Sequence, residues 1–431
     1  MQTTLAPEFA GTADGTEAEA ILRRCVHCGF CTATCPTYQL LGDELDGPRG
    51  RIYLIKQVLE GAAPTRETQL HLDRCLTCRN CETTCPSGVE YGRLVDIGRR
   101  AVDAQVTRPA GEKRTRWLLK EGLTSPLFKP ALKLGQALRP LVPSALQDKV
   151  PPKPPATAHD WPTRQLNRKV ALLLGCVQPA LAPNINSATA RVLDAAGIQT
   201  VVADAAGCCG AIREHLGDHD GALADMRRNV DAWWPLVAGP GERVEALVMN
   251  ASGCGVTVKD YAHALRADPQ YADKARRISE LTRDLSELLP ELVPVLKTRL
   301  KAKPGALAYH PPCTLQHGQQ LRGGVEGAFR ELGFTIGCAT TESHLCCGSA
   351  GTYSVLQPAL SKQLRDRKLA ALAPLQAEQI VSANVGCIQH LQSGTAQPVR
   401  HWVEVLDDAL SARTAPGRLG STAAGESLHR K

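Results

Sequence analysis

The sequence is poor in aromatic residues, which make up 4% of its 431 residues, so aliphatic side chains must form most of its cores. Its apolar runs, such as Val170 to Leu174, are far shorter than the ~20 residues that a bilayer-spanning helix requires. Residues 1–20 lack the basic and apolar segments of a signal peptide, so we do not expect export. These absences predict a cytoplasmic protein whose contact with the inner face of the cell membrane, if any, is peripheral.

The charge pattern also excludes a class of partner. The formal net charge is +7, but acidic residues are interspersed with the basic ones. There is no stripe of basic and aromatic residues of the kind that binds nucleic acid. We therefore expect no nucleic-acid partner.

The chain is instead rich in cysteine, with 17 residues. A large chain without an export signal is expected in a reducing compartment, where thiols bind metal rather than form disulfides. The runs from Cys25 to Pro36 and from Cys75 to Pro86 both have the bacterial ferredoxin spacing C-x2-C-x2-C-x3-C-P. Paired zinc sites are the alternative, but zinc modules usually present C-x2-C pairs separated by longer loops. The spacing therefore predicts two 4Fe-4S clusters and an electron carrier.

In such runs three thiolates bind one cluster, whereas the fourth cysteine, which precedes a proline and leads into a helix, binds the other cluster. Each motif is thus expected to donate one ligand to its neighbour's cluster. The two expected ligand sets are Cys25, Cys28, Cys31 and Cys85, and Cys75, Cys78, Cys81 and Cys35.

Two further segments surround these motifs. Apolar residues at helical spacing from Pro48 to Leu59, with Gly61 as a C-terminal cap, predict a helix packed over the clusters. Residues 112–141 carry an amphipathic basic pattern. This pattern suits helices that brace the cluster domain with a solvated face, or helices that lie on an anionic membrane or an acidic partner. The proline-rich residues 151–155 predict a stiff linker.

After residue 168 the sequence changes to short aliphatic runs alternating with helical and glycine-rich pieces, which is typical of parallel α/β units. Equivalent cysteines of two such units are separated by about 130 to 140 residues, which indicates an internal duplication. The first unit contains Cys176, Cys208, Cys209 and Cys254, and the second contains Cys313, Cys346, Cys347 and Cys387.

These thiols follow predicted strands or glycine-rich turns, so each set should meet at one edge of its sheet and bind a metal. The alternative is that they are small buried core residues, as free cysteines often are. Cys338 has no counterpart in the first unit, and we interpret it as a core residue. His215, His310 and His344 lie near these cysteines, where they either tune a cluster or are structural.

The chain resembles a known family in the two ferredoxin runs, the segment from Gly42 to Ile52, the residues from Leu76 to Gly92 and the duplicated Cys-Cys-Gly units. This is the family of iron–sulfur subunits of bacterial glycolate oxidase, also called glycolate dehydrogenase. The similarity spans nearly the whole chain. The wider family includes iron–sulfur subunits of lactate utilisation and of anaerobic glycerol-3-phosphate dehydrogenase, and the Cys-Cys-Gly subunit of heterodisulfide reductase.

This resemblance implies an oxidoreductase complex in which a partner flavoprotein oxidises glycolate to glyoxylate and this chain passes the electrons on towards a membrane quinone. FAD is then expected only in the partner subunits, in agreement with the lack of a G-x-G-x-x-G fingerprint after the strands. No residue of this chain is assigned a catalytic role. The alternatives are an iron–sulfur subunit of a lactate or glycerol-3-phosphate dehydrogenase, and a catalytic subunit like that of heterodisulfide reductase.

The Cys-Cys-Gly modules of heterodisulfide reductase end in Cys-x-x-Cys, whereas Ala251 and Asn384 stand three residues before Cys254 and Cys387 here. Each unit thus has one thiol fewer, which leaves open a further cluster, zinc or no metal. The expected fold class is an α+β multidomain chain: a helical two-cluster ferredoxin-like domain followed by two α/β Cys-Cys-Gly units. The expected boundaries are 1–110 for the cluster domain, 111–166 for the basic segment and linker, 167–300 and 301–412 for the two units, and 413–431 for a disordered tail.

Overall fold

A computed structural model of the protein describes residues 1–141, 160–239, 241, 243–303 and 305–411. The predicted linker at 151–155 and the predicted tail at 413–431 lie outside the described residues. Within the described ranges, no helix is both long enough and apolar enough to cross a bilayer.

The N-terminal part of the chain is helical. Its helices are α1 (Ala13–Arg24), α2 (Pro36–Leu41), α3 (Pro48–Leu59), α4 (Arg66–Asp73), α5 (Asn80–Thr84), α6 (Tyr91–Gln105), α7 (Ala110–Thr124) and α8 (Phe128–Leu138), with 3-10 turns at Phe30–Thr32, Glu44–Asp46 and Arg139–Leu141. The predicted helix between the two cysteine runs is confirmed as α3, which starts at a proline and ends two residues before Gly61, at φ +95°. Gly98 of α6 lets the two helices approach closely, because a Cβ there would lie 2.5 Å from the side chain of Ile55.

The first α/β unit contains a parallel sheet in the order β2-β1-β3-β4. Its strands are β1 (Arg168–Leu172), β2 (Ile198–Val201), β3 (Ala246–Met249) and β4 (Thr282–Asp284). Its helices are α9 (Gln178–Leu181), α10 (Asn184–Ala195), α11 (Ala211–His215), α12 (His219–Ala238), α13 (Ser252–Lys259), α14 (Tyr261–Ala264), α15 (Ala272–Leu281) and α16 (Leu289–Lys297), with a 3-10 turn at Leu285–Leu288.

The second unit repeats this topology in a parallel sheet of order β6-β5-β7-β8. Its strands are β5 (Leu307–His310), β6 (Ile336–Cys338), β7 (Gln379–Ser382) and β8 (Val399–His401). Its helices are α17 (Gly324–Glu331), α18 (Tyr353–Leu356), α19 (Pro358–Leu372), α20 (Val385–Gln392) and α21 (Trp402–Ser411), with a π-helix at Thr314–Gly318 and a 3-10 turn at Ala373–Leu375. The matching strand orders confirm the predicted fold class and the duplication.

The two units share one hydrophobic core, which continues from Val170 and Leu193 of the first unit to Phe329 and Trp402 of the second. Helices α10 and α21 pack against each other at this junction. There the Arg191 guanidinium donates to both carboxylate oxygens of Asp407, at 2.7–3.1 Å. The units are therefore held side by side by apolar burial and by a bidentate ion pair.

The basic segment braces the cluster domain, as one of its two interpretations expected. Arg116 of α7 pairs with Asp73 of α4 at 2.9 Å, and Glu121 of α7 accepts from Arg213 of the first unit at 3.0 Å. The other face of α7 and α8 is solvent-exposed. Apolar side chains on this outer face are Trp117, Leu118, Leu134 and Leu138, with 46–62% of their surface exposed.

Candidate metal centres

The two ferredoxin-type runs form loops with the same backbone. Positive φ angles occur at equivalent positions of the two runs. His27 and Thr77, two residues after the first cysteine, have them, and so do Gly29 and Arg79, four residues after it. Non-glycine residues rarely adopt this left-handed conformation. Its repetition at equivalent positions shows that each loop winds in the same way and brings its three thiols together.

The structure brings Cys85 of the second run to the three thiols of the first. Burial, together with negative charge on Cys25, Cys85 and Cys28, raises the pKa of the Cys31 thiol to about 11. Cys28 is exposed, whereas Cys25 is buried. The four thiols of the first expected ligand set are thus mutual neighbours at the protein surface.

The second set is assembled in the same crossed way. Burial raises the pKa of the Cys81 thiol, and negative charge on Cys78, Cys75 and Cys35 raises it further. The two runs touch at their equivalent threonines, because the hydroxyls of Thr34 and Thr84 lie 3.2 Å apart. This symmetric contact places the two ligand sets next to each other.

The fourth cysteines of the two runs lead into different backbone structures. Cys35 leads directly into α2 through Pro36, as expected. Cys85 instead precedes a turn at Gly88, at φ +62°, and α6 begins only at Tyr91. The amide of Gly88 donates to the carbonyl of Cys85 at 3.3 Å, so the expectation of a helix directly after each proline holds for the first run alone.

A buried arginine, which the sequence analysis did not identify, lies beside the second set. Arg51 of α3 is 1% exposed, and its Nη1 donates to the hydroxyl of Thr37 at 3.1 Å. That hydroxyl lies 3.3 Å from Sγ of Cys35. Asp46 accepts from Arg51 at 3.3 Å and from Arg74 at 2.8 Å. The permanent positive charge of Arg51 is thus connected to the Cys35 thiol through a single intervening group, the Thr37 hydroxyl.

In the first α/β unit the four predicted thiols also meet. Hydrogen bonds from Cys176 and Cys209 lower the pKa of Cys208 to about 3. Two hydrogen bonds raise the pKa of Cys209: the one with Cys208 has the larger effect, and the one with Cys254 has the next largest. Gly210, at φ +95°, follows the two adjacent cysteines and forms the tight turn that the Cys-Cys-Gly pattern predicts.

The second unit repeats this arrangement, because hydrogen bonds join the thiol of Cys347 to those of Cys346 and Cys387. Sγ of Cys313 lies 3.7 Å from Sγ of Cys346. Cys347 and Cys387 also lie within 4.8 Å of each other and of a ring nitrogen of His310. Gly348, at φ +90°, again forms the turn.

The second ligand set of the cluster domain adjoins this second unit. Cys78 packs against a buried group that contains Leu76, Cys313, Cys346 and Tyr353. Burial raises the pKa of the Cys78 thiol, and negative charge on Cys313 is the next largest cause. A cavity of about 1180 Å³ is lined by thiols of this set and of both α/β units.

The interface between the cluster domain and the second unit is built around histidine. His317, in the π-helix, contacts the hydroxyl of Thr83 at 3.0 Å through Nδ1 and donates from Nε2 to the carbonyl of His344 at 2.8 Å. Asn80 donates to that same carbonyl at 3.4 Å. The sequence analysis identified His344 but missed His317, whose sole signal is its position four residues after Cys313.

The remaining residues singled out from sequence lie elsewhere. His215 lines the large cavity, and burial lowers its pKa. Cys338 ends β6 and packs against the shared core, with its thiol 3.7 Å from a carboxylate oxygen of Glu326. This position agrees with its interpretation as a core residue outside the thiol sets.

The chemistry of these donors suits iron–sulfur clusters. All 17 cysteines are free thiols, and 16 of them fall into four sets of four. Soft thiolate ligands select iron–sulfur clusters, zinc or copper(I). Repulsion between crowded thiolates raises the pKa of each thiol, and a bound cation offsets this repulsion. The residues of the two ferredoxin-type sets therefore fit the groups that their spacing predicts.

Comparison with known families agrees with this description. Residues 21–89 match the 4Fe-4S dicluster domain family. Residues 170–259 and 307–392 each match the cysteine-rich domain family. The matched ranges contain both ferredoxin-type runs and, in each α/β unit, all four cysteines together with the first three strands, apart from the start of β1.

Three curated relatives illustrate the similarity. The chain is 52% identical to the glycolate oxidase iron-sulfur subunit of Escherichia coli (strain K12), over 95% of this chain and 99% of that protein. It is 29% identical to the probable glycolate oxidase iron-sulfur subunit of Bacillus subtilis (strain 168), over 87% of this chain and 89% of that protein. It is 26% identical to lactate utilization protein A of Geobacillus thermodenitrificans (strain NG80-2), over 56% of this chain and 98% of that protein.

Proposed function

The chain belongs to the family of glycolate oxidase iron–sulfur subunits, and we propose that it carries electrons from a partner flavoprotein that oxidises glycolate to glyoxylate towards a membrane quinone. Two 4Fe-4S clusters would be held by the two crossed ligand sets, and each supplies one-electron transfer when bound. The flavin would then convert a two-electron oxidation into single-electron steps in the partner subunit.

The observation that carries the proposal is the unequal placement of the two ligand sets. Cys28 of the first set is exposed, and beside it Val26 and Phe30 expose 69% and 61% of their surface. Large apolar side chains at the rim of a redox site are suited to contact with a partner protein. We propose this rim as the face that receives electrons from the flavoprotein.

The second set lies on the inner side of the domain. Cys78 packs against Cys313 and Cys346 of the second α/β unit. Electrons that reach this set would thus pass towards the second unit and the large cavity rather than to solvent. We propose the thiols of both units as further metal ligands: Cys176, Cys208, Cys209, Cys254, Cys313, Cys346, Cys347 and Cys387.

Contact with the membrane is proposed for the outer face of α7 and α8. The exposed apolar residues Trp117, Leu134 and Leu138 alternate there with basic residues such as Lys113 and Lys133. A face of this composition binds anionic bilayer surfaces, with its apolar side chains in the interfacial region. This contact would bring the chain to its quinone acceptor.

The test is anaerobic purification with co-purifying partners, followed by iron analysis and cluster reduction by glycolate, D-lactate, L-lactate and glycerol 3-phosphate. We expect a flavoprotein partner, reduction by glycolate and about eight irons per chain from the two clusters, with any iron beyond this number assigned to the thiols of the α/β units. Replacement of Cys28 or Cys78 by Ser should remove about four irons and abolish quinone reduction, while the flavin still reduces an artificial dye. Cys338→Ser is the matched control, because its thiol lies outside all four sets.

Full quinone reduction by both Cys28→Ser and Cys78→Ser would overturn the electron-carrier proposal. Reduction of the clusters by D-lactate, L-lactate or glycerol 3-phosphate, and not by glycolate, would leave the carrier role in place and overturn the assignment of glycolate.

A further inference from the structure

The second α/β unit contains a histidine whose polar atoms are buried without a partner. His310 ends β5 and is 1% exposed. Within the described part of the chain, neither of its ring nitrogens has a hydrogen-bond partner. Burial of an imidazole without hydrogen bonds is costly, and buried polar groups in native proteins are almost always satisfied. The ring is therefore placed for a ligand rather than for packing alone.

Two thiols complete the surroundings of this ring. A ring nitrogen of His310 and Sγ of Cys347 and Cys387 all lie within 4.8 Å of one another, and all three residues are buried. In a tetrahedral zinc site, bonds of about 2.0–2.1 Å to nitrogen and about 2.3 Å to sulfur place the donor atoms roughly 3.5–3.8 Å apart. The three side chains are thus close enough to bind one ion with small adjustments of their rotamers.

We propose that His310, Cys347 and Cys387 bind a single divalent metal ion, with Zn²⁺ as the preferred ion. A mixed imidazole and thiolate set matches the borderline-soft character of zinc. Two thiolates neutralise the charge of the ion, and the three protein ligands leave one coordination position for a further donor. The proposal extends the proposed function of the chain and does not depend on the identity of its substrate.

The site is specific to the second unit. His310 precedes Cys313 by three residues, and the residue that precedes Cys176 by three in the first unit is Leu173. The first unit thus offers only thiols at its equivalent position. The duplicated units have diverged at the position that would turn a thiol set into a mixed site.

The other two thiols of the second unit lie next to this site, because the Cys346 thiol forms a hydrogen bond with the Cys347 thiol. Cys313 and Cys346 lie 3.7 Å from each other and contact Cys78 of the cluster domain. The ammonium group of Lys368, which is 2% exposed, donates to the carbonyl oxygens of Glu342 and Ser343. This ammonium group lies near the thiols of Cys347, Cys346 and Cys313.

The test measures zinc retention by the full chain with its clusters intact. Protein is incubated anaerobically with one equivalent of Zn²⁺, passed through gel filtration and analysed for zinc and iron. The two proteins compared both carry Cys208→Ser and Cys254→Ser, which remove the thiol set of the first unit. We expect about one zinc per chain in the otherwise wild-type protein and less than about one fifth of this in His310→Leu, which introduces the residue of the first unit. His310→Cys should restore retention, because a thiolate is also a zinc ligand.

His401→Gln is the matched control. His401 is equally buried in the same unit, but both of its ring nitrogens have partners, so its replacement should not change zinc retention. Iron content and circular dichroism show whether each variant keeps its clusters and its fold. The zinc K-edge absorption spectrum of the wild type gives a test that needs no variant, and we expect one nitrogen and two sulfur neighbours. Equal zinc in wild type and His310→Leu, no retained zinc in the wild type, or a shell of sulfur alone would overturn the proposal.

Discussion

Replacement of Arg51 by Gln should lower the reduction potential of the cluster proposed on Cys75, Cys78, Cys81 and Cys35. The guanidinium is buried and reaches Sγ of Cys35 through the hydroxyl of Thr37, by contacts of 3.1 and 3.3 Å. Its Nη1 therefore lies no farther from that sulfur than the combined length of these two contacts. The added electron of a reduced cluster is shared over the whole cubane, so we take a mean separation of about 8 Å.

At this separation and an effective dielectric constant of about 20, one unit charge stabilises the added electron by about 2 kcal/mol. For a one-electron couple this corresponds to about 90 mV. The negative charge of Asp46 does not fully offset the positive charge of Arg51, because Asp46 also accepts a hydrogen bond from Arg74 at 2.8 Å and contacts His71 at 3.1 Å. We expect Arg51→Gln to lower the potential by about 50–100 mV.

The assay is an anaerobic redox titration followed by electron paramagnetic resonance, with iron content measured on the same samples. Lys56→Gln is the matched control, since Lys56 lies on the same helix α3 but pairs with Glu60 away from the thiols. Its replacement should shift neither potential by more than about 20 mV. Unchanged potentials in Arg51→Gln at full iron content would refute the electrostatic role of this arginine.

Two further predictions concern stability. Burial lowers the pKa of His401 to about 3, so between pH 6.5 and 3 the unfolded chain binds one more proton at this residue than the folded chain. Lowering the pH from 7.5 to 5.5 should therefore reduce the free energy of unfolding of the wild type by about 1.4 kcal/mol more than that of His401→Gln, as measured by urea unfolding. An equal pH response of the two proteins would contradict this prediction. Arg191→Met removes the bidentate partner of Asp407 between α10 and α21, and it should lower the free energy of unfolding by about 2–3 kcal/mol in the same assay. Arg164→Met, which breaks an exposed pair with Asp194, should lower it by less than about 1 kcal/mol. A similar loss in both variants would show that the inter-unit pair has no special weight.

The sequence was sufficient to predict features that depend on short spacing or on repetition. Both cysteine runs, the helix from Pro48 to Leu59 and the duplicated units were predicted because ligand spacing, helical period and internal repeats are local patterns. The crossed placement of Cys35 and Cys85 was also expected, because it follows from the shape of the motif. The structure brings these thiols together, and their ligation stays a prediction.

Features that depend on long-range contacts were not predictable in the same way. Arg51 lies two residues after Arg49 and resembles a solvated residue in sequence. It is buried because Asp46, Thr37 and the carbonyl of His71 accept hydrogen bonds from its guanidinium. His310 was identified next to Cys313, but the state of its ring nitrogens depends on neighbours more than 30 residues away. A pattern in one sequence does not report such satisfaction, since it is a property of the packed structure.

The contact between the cluster domain and the second unit links His310 to the cluster that lies beside Arg51. The first unit meets the cluster domain through ion pairs at its rim, such as Arg100 with Glu214 and His263 with Glu17. The second unit meets it through a buried group that includes Cys78 and Cys346. Charge on one thiol set acts strongly on another only at close range and in a low dielectric, which the buried contact supplies. Loss of the metal proposed at His310 should therefore shift the potential of the Cys78 cluster, whereas an equivalent change in the first unit should not.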